Sequence, residues 1–518
     1  MSLNKTFIIG ISFFSWNSWS QITVDYLDYR HRIENSETYF LDNQKIHSGV
    51  HPMILNKEDV GFQKEKGQLV FNRGTSTSAE SGESRKSYGL RIYPIADIGV
   101  GVQYQKNKPD YFNYIAGAGL GIDFSSKKFF ITGKLMPYAT QSGYVADSIQ
   151  QKSDMDLGTT RPIFGKIYSR NELLIGYRAN KFFTFLAGYG KNFFGEGYRS
   201  LLLSDNASNY PFLKIETTFG SIKYVNLYTI WNDNSTDPSN KSLDRMKFSA
   251  IHYLSWNITR EFNLSVFESV VWQAKDNIAD RGFDLNYLNP VVFYRPVEYS
   301  NGSADNVLLG LNLSYKVNKN HCLYSQVIID EFLLSKIKDD SKWWGNKWGV
   351  QLGYKSNSFL VENLYFQAEF NVVRPFTYSH KYSIQNYGHL NASVTHPLGA
   401  NFYEVLNIIS YKKNSIRFTN KITFSAFGVD TDSVNYGQNI FNSYSDRKED
   451  YGHLIMQGLR TNVLNEQFIL EVPLLEKIDL YFNVTYNYRM QYNEFQTTHN
   501  HFLMVGIRSR IWNSYSDI

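Results

Sequence analysis

The sequence predicts an all-β fold, a transmembrane antiparallel β-barrel of about 18–20 strands with short turns at one end and long loops at the other. Three observations carry this. Long segments alternate apolar and polar residues with a period of two. The links between them alternate short and long. Past the N-terminus, no apolar run approaches the roughly 18–20 residues that a spanning helix requires.

Composition agrees. The 518 residues include 38 Tyr, 37 Phe and 9 Trp, while mean hydropathy stays below zero. Aromatic enrichment on a polar average is what strands produce when every second residue faces a polar interior. With only 12 prolines and no Ser/Gly-rich linker, one body is expected rather than a string of domains. The 53 basic and 48 acidic residues are scattered, so nucleic acid is excluded as a partner class. Cys322 is the sole cysteine, which leaves no internal disulfide and no thiolate metal cluster. Neither a cofactor nor a metal is predicted.

The N-terminal stretch MSLNKTFIIGISFFSWNSWSQ has Lys5, an apolar core over 7–16 and small residues at Ser18 and Ser20. That is the layout of a secretory signal peptide over 1–20, with cleavage after Ser20. An exported chain that enters a membrane without apolar helices does so as a closed barrel, which places this one in the bacterial outer membrane, in contact with its lipid. Residues 21–65 are polar and are read as a periplasmic or lumen-entering segment. The barrel is assigned to 66–518, with 66–75 (KGQLVFNRGT) as its first strand.

Further strands are predicted near 87–94, 97–106, 113–124, 128–138, 171–179, 182–191, 212–219, 221–231, 245–256 and 260–272. They continue near 305–317, 321–331, 346–355, 361–373, 401–412, 415–427, 465–473, 476–489 and 499–512. The pattern is clearest in ENLYFQAEFNVV (362–373), where Leu364, Phe366, Ala368, Phe370 and Val372 oppose Asn363, Tyr365, Gln367, Glu369 and Asn371. Links at 95–96, 125–127, 180–181, 220, 257–259, 318–320, 413–414 and 474–475 are short. Those at 139–170, 192–211, 232–244, 273–304, 332–345, 374–400 and 428–464 are long. A soluble sandwich has no reason to sort its connections this way, whereas an outer-membrane barrel keeps short turns in the periplasm. The last segment, HFLMVGIRSRIW, places Leu503, Val505, Ile507 and Ile511 opposite Arg508 and Arg510 and is expected to close the ring.

Three long loops hold the candidate functional residues. In GYGKNFFGEGYRSLLLSDNASNY (188–210) the glycines bring Lys191, Glu196, Arg199 and Asp205 close together in sequence. They do not link a buried strand to a helix, and no GK[ST] follows, so a nucleotide loop is excluded. Gly195 and Gly197 instead fit a tight reversal or a close backbone approach. A pair between Glu196 and Arg199 would fix the loop to the wall, and Asp205, Glu298 and Asp305 are further carboxylate candidates for Arg199. Residues 284–306 hold Tyr294, Arg295, Glu298 and Asp305; residues 386–401 hold His389 and His396. All three loops lie on the long-loop side, so they are expected to meet at the mouth or fold into the lumen.

No H-E-x-x-H, G-x-S-x-G or framed carboxylate pair is present, and an enzyme is not predicted. The string YGHL occurs at 387–390 and again at 451–454, which favours a structural turn over a catalytic motif.

The strings GKNFFGEGYRSLLLSDNASNYP, NPVVFYRPVEYSNGSADNVLLG and NYGHLNASVTHPLGANFYE resemble those of a Bacteroidetes outer-membrane barrel family. It comprises the gliding-motility protein RemB and relatives assigned to the capsule-assembly Wzi group. The strings cover about 60 residues, and the likeness to the RemB-like branch is the more specific. The resemblance implies a surface location and a role in holding capsular polysaccharide or in adhesion; it supplies no binding residues. The expected function is therefore a cell-surface barrel that binds polysaccharide or another surface component through its loops, with membership of a larger envelope complex left open. Aromatics interleaved with Asn, Asp and Arg suit sugar recognition. The alternative is a porin-like channel lined by Lys316, Arg417, Lys421, Glu369, Arg489, Arg508 and Arg510.

Overall fold

A computed structural model describes residues 22–25, 29–34, 46–56, 89–141, 167–233, 245–275, 281–290, 305–338, 341–431, 433–513 and 515. Eighteen strands of these residues hydrogen-bond edge to edge into one closed antiparallel barrel. In chain order they are β1 (Gly89–Gln105), β2 (Tyr111–Ser125), β3 (Phe129–Gln141), β4 (Ile167–Arg178), β5 (Phe183–Gly190) and β6 (Tyr210–Phe219). Next come β7 (Ile222–Asp233), β8 (Arg245–Asn257), β9 (Phe262–Gln273), β10 (Asn306–Lys316), β11 (His321–Ile329) and β12 (Trp348–Ser356). The ring is completed by β13 (Leu364–Val373), β14 (Phe402–Lys413), β15 (Ile416–Val429), β16 (Leu459–Leu475), β17 (Leu480–Tyr492) and β18 (Thr497–Ser509).

Every strand pairs with its chain neighbours, and β18 pairs with β1 from Asn500↔Gln105 to Arg508↔Asp97, so the ring closes on itself. The wall is inverted relative to a soluble protein. Outward positions such as Ile98, Val100, Leu120, Leu135, Leu213, Leu352 and Val405 are exposed. Inward positions such as Lys214, Glu216, Asn312, Gln351, Glu369 and Asn371 are buried. In β13 the predicted faces are the observed ones, with Tyr365, Gln367, Glu369 and Asn371 turned inward. A closed wall that is apolar outside is one of the two ways a chain satisfies its backbone in lipid.

The count of eighteen differs in detail from the sequence reading. The segments expected at 87–94 and 97–106 fall on one strand, β1 (Gly89–Gln105), and 95–96 is not a turn. Pro94 suggests a break, but β18 pairs only from Asp97 onward, so the missing N–H of Pro94 faces no partner strand. The ring closes from Gly89 without residues 66–75, which lie outside the described residues, as does the signal segment 1–20. Two connections on the long-loop side, 106–110 and 493–496, are short, so the sorting by length is not strict. After β18 the chain turns inward: Ile511 and Trp512 pack with Tyr93, Ile95, Met136 and Tyr138 inside the barrel rather than continuing the lipid face.

Candidate functional site

The connection from β5 to β6 does not project from the barrel. Residues 192–209 are buried throughout and fill the lumen. Phe193, Phe194, Leu201, Leu202 and Leu203, too apolar for an external loop, are fully buried. Phe194 and the three leucines share one cluster with the inward side chains Val225, Leu227, Ile251, Phe267, Leu308 and Ile328. Each such side chain stabilises the inserted loop by roughly 1.5–3 kcal/mol. Gly195 takes φ +139°, and a Cβ there would sit 2.1 Å from Gln326 Nε2. At Gly197 a Cβ would sit 2.5 Å from Glu369 Oε2. These are the close approaches that the glycine spacing suggests, and they are made to the wall.

Two wall carboxylates hold the loop. Glu369 on β13 accepts from the backbone N–H of Tyr198 (2.9 Å) and of Arg199 (3.2 Å), and from the Tyr324 hydroxyl at 2.8 Å. Glu404 on β14 takes Arg199 Nη2 at 3.2 Å and His396 Nε2 at 2.7 Å. Arg199 is thus paired with Glu404 rather than with the expected Glu196, and Glu298, another carboxylate proposed for it, lies outside the described residues. Glu196 lies instead 2.7 Å from Lys355 Nζ and accepts from Ser48 Oγ. Burial opposes ionisation of Glu196, but the Lys355 ammonium and these hydrogen bonds outweigh it and hold the carboxyl below its ordinary value. Lys191 donates to the Asp205 carbonyl at 2.9 Å, and the Asp205 carboxylate accepts from Asn513 Nδ2 at 3.0 Å and from the Tyr515 hydroxyl.

Residues 384–401 enter the lumen beside this loop. Ser204 N–H donates to Val394 O at 2.7 Å, and Asn206 Nδ2 to Ser393 O at 2.9 Å. His389 Nδ1 accepts from Asn232 N–H at 2.9 Å, which leaves Nε2–H to donate to Asn209 O at 3.3 Å. His396 Nδ1 accepts from Leu398 N–H at 3.2 Å, so its Nε2–H points to Glu404. Both imidazoles thus act as clips between loop and wall, and burial pushes His389 down to about 3. Among the described residues no group of three His, Cys, Asp or Glu side chains could hold a metal ion. The two YGHL strings are not equivalent: Tyr387 is fully buried in the lumen, whereas Tyr451 is exposed on an external loop.

The third loop behaves differently. Tyr294, Arg295 and Glu298 lie outside the described residues. Residues 281–290 pack against the outer wall, where Tyr287 and Phe283 cover the outward side chains Tyr228, Phe248 and Trp272. The described part of this loop, 284–290, thus lies on the outer face rather than in the lumen with the other two. Asp305 accepts from Arg281 at 2.9 Å and Tyr287 at 2.6 Å, and meets residues 374–401 through Gln385 Nε2 at 3.3 Å.

Residues 29–34 and 46–56 also lie inside. Arg30 pairs with Glu471 at 3.0 Å, and Val50–His51 pairs with Phe193–Phe194. A cavity of about 30 Å³ remains beside Glu196 and Lys355, lined also by Arg32, His51 and Tyr365, with room for about two waters. Over the mouth, residues 341–344 bond to 450–453. There Arg447 stacks 3.9 Å over Trp344, which packs 4.6 Å from Tyr444.

No protein-family model matches the sequence, and no curated protein matches it. Solved structures of similar outline include Wzi, a carbohydrate-binding outer-membrane β-barrel involved in group 1 capsule assembly in Escherichia coli. It is 10% identical, with a TM-score of 0.47, over 79% of this chain and 84% of that one. OpdK, an outer-membrane protein of Pseudomonas aeruginosa, is 8% identical with a TM-score of 0.45, over 80% and 97%. OccAB2 of Acinetobacter baumannii is 9% identical with a TM-score of 0.45, over 80% and 96%. All three scores lie below 0.5, a level at which neither ligand nor transport carries over.

Proposed function

We propose that this chain is an outer-membrane barrel closed by its own loops, which works at the cell surface by binding polysaccharide or another surface component rather than by transport or catalysis. The observation that carries this reading is the burial of residues 192–209 in the lumen, with Arg199 bonded to Glu404 on the wall. An ion pair buried on both sides is costly to open, because separating it leaves two unpaired charges. Wide barrels conduct unless something fills them, and here segments from several parts of the chain do.

The external cap supports the binding half of the proposal. Tyr382 and Tyr451 are exposed there, next to the packed Trp344, Tyr444 and Arg447. Aromatic faces beside amide and charged groups match the apolar patches and hydroxyls of a sugar chain. The link to capsule assembly or gliding motility rests on the resemblance of the three loop strings alone.

Single-channel conductance of the refolded full-length protein in a planar bilayer tests the proposal. A silent barrel, followed by retention on a glycan array, is the expected result. A stable ion-selective pore would overturn it and put transport first.

A further inference from the structure

Beside the cap, the chain leaves a cluster of large apolar side chains uncovered. The connection from β11 to β12 carries a short helix, Leu334–Lys338. Phe332 is 43% exposed, Leu333 45%, Leu334 57% and Ile337 47%. At about 100° per residue, Leu333, Ile337 and Leu334 form one stripe, with Lys336 on one border and Lys338 on the other. Lys336 turns to the cap, where its Nζ lies 5.1 Å over the Tyr451 ring and 3.3 Å from the Tyr451 hydroxyl. Lys338 is exposed, and Glu331 is held by Lys347 at 3.1 Å. Asp339 and Asp340, which follow, lie outside the described residues.

The wall beneath shows what this cluster meets. β11 and β12 are 9 residues each, the length with which a tilted strand crosses the apolar layer. Their outer ends, Ile329 and Trp348, are cross-strand partners, and Trp348 shares the outward register of the exposed Leu352. Aromatic side chains at such a height mark the edge of the apolar layer. The hairpin then continues past that edge. Asp330 N–H donates to Lys347 O at 3.1 Å, and Lys347 N–H to Glu331 O at 2.9 Å. Asp330 and Lys347 pair with each other and are buried, so Glu331 and then Leu333 follow Ile329 on the outward side. We propose that residues 332–337 are a lipid foot, seated in the boundary between headgroups and acyl chains of the outer leaflet. The foot continues the lipid face of β11 and β12, so its partner is the membrane in which the wall already stands. An amphipathic turn lies in that boundary with its apolar stripe in the acyl region and a bordering lysine, here Lys338, reaching the headgroups. Through Lys336 and Tyr451 the foot braces the cap against the membrane.

Fluorescence quenching of the full chain in liposomes tests this, with Cys322→Ser removing the single native thiol. Leu334→Cys and Ile337→Cys each carry an environment-sensitive dye. Leu213→Cys, on the lipid face, and Tyr382→Cys, exposed on the cap, are the two references. Lipids brominated near the headgroup are expected to quench the dye at 334 and 337 roughly threefold more than at 382, because only an inserted stripe meets them. Iodide in the buffer should quench 382 strongly and 213 hardly at all, with 334 and 337 close to 213. Heat-modifiable gel mobility checks that each variant is folded. If the folded variants at 334 and 337 ignore the brominated lipid and respond to iodide as 382 does, the proposal is overturned and the patch is left to a soluble partner.

Discussion

The guanidinium of Arg199 lies 3.2 Å from the carboxylate of Glu404, joining the middle of a long loop to the inner wall of the barrel. Both side chains are 1% exposed, so neither charge has water to fall back on. Arg199→Met should therefore cost about 3–5 kcal/mol of closure stability, since Glu404 is left with His396 and Asn371 but without its counter-charge. Arg199→Met combined with Glu404→Gln should recover much of that loss. Urea titration in detergent, read by protease cleavage within 192–209, measures both; additive losses would contradict a coupled pair.

Gly195 offers a backbone test of the same closure. Its positive φ and the 2.1 Å approach to Gln326 Nε2 leave no place for a methyl group. Gly195→Ala should destabilise the inserted loop by about 1–3 kcal/mol. Gly220→Ala, also at positive φ but with nothing near its Cβ, should leave the loop's protease protection intact. Equal loss of protection in both variants would mean that φ strain, not the wall contact, decides.

Closure should weaken in mild acid. Burial holds His47 and His389 down to about 3, against an ordinary value of 6.5. Above pH 6.5 both the closed and the opened forms are neutral, and nothing is lost. Below it the opened form takes up a proton that the closed form refuses until about pH 3. At pH 5 each imidazole should thus cost closure about 2 kcal/mol. The buried Glu196 acts in the same direction further down, because its stabilisation is present above the ordinary 4.5 and fades as pH falls below it. Hydrogen exchange of residues 192–209 at pH 7.5 and 5 reads this directly, and His389→Gln should flatten part of the dependence. Identical exchange at the two pH values, after correction for intrinsic rates, would refute it.

Removing the loop should open the barrel. Replacing 193–208 by a short Gly/Ser link empties the space between β7–β11 and β13, so steady conductance should appear where the intact protein has none. A deleted but correctly folded barrel that stays silent would assign the seal to residues 374–401 and 511–515 instead.

The barrel is legible in the sequence wherever one strand face meets lipid and the other meets polar groups, as in β13. It fades in β7 to β9, where burial runs unbroken through 225–229, 247–253 and 267–272. Their inner faces meet the apolar loop, and residues 281–290 cover part of their outer faces. Period two disappears when both faces of a sheet are covered. The identity of Arg199's partner was out of reach for a different reason. Local sequence shows that a loop carries charge and glycine, not how far it descends, and Glu404 is set apart only by lying on the inward register of β14. Lys355, paired with Glu196, gave no signal beyond its place on the polar face of β12. His389 and His396 were found by residue type, and their role as clips follows only from the groups around them.

The segments that fill the lumen lie far apart in the chain. Arg30 meets Glu471 across 441 positions, and Asp205 meets Asn513 across 308. Tyr198 at the heart of the loop is wedged edge-on between Tyr29 and Tyr515. Such contacts cannot form until the strands between them have paired, so the order of assembly is imposed by connectivity. The wall must zip shut first, with the charged loop still wet inside it, and the seal sets last. An inserted barrel should thus be leaky at birth and become tight as it matures.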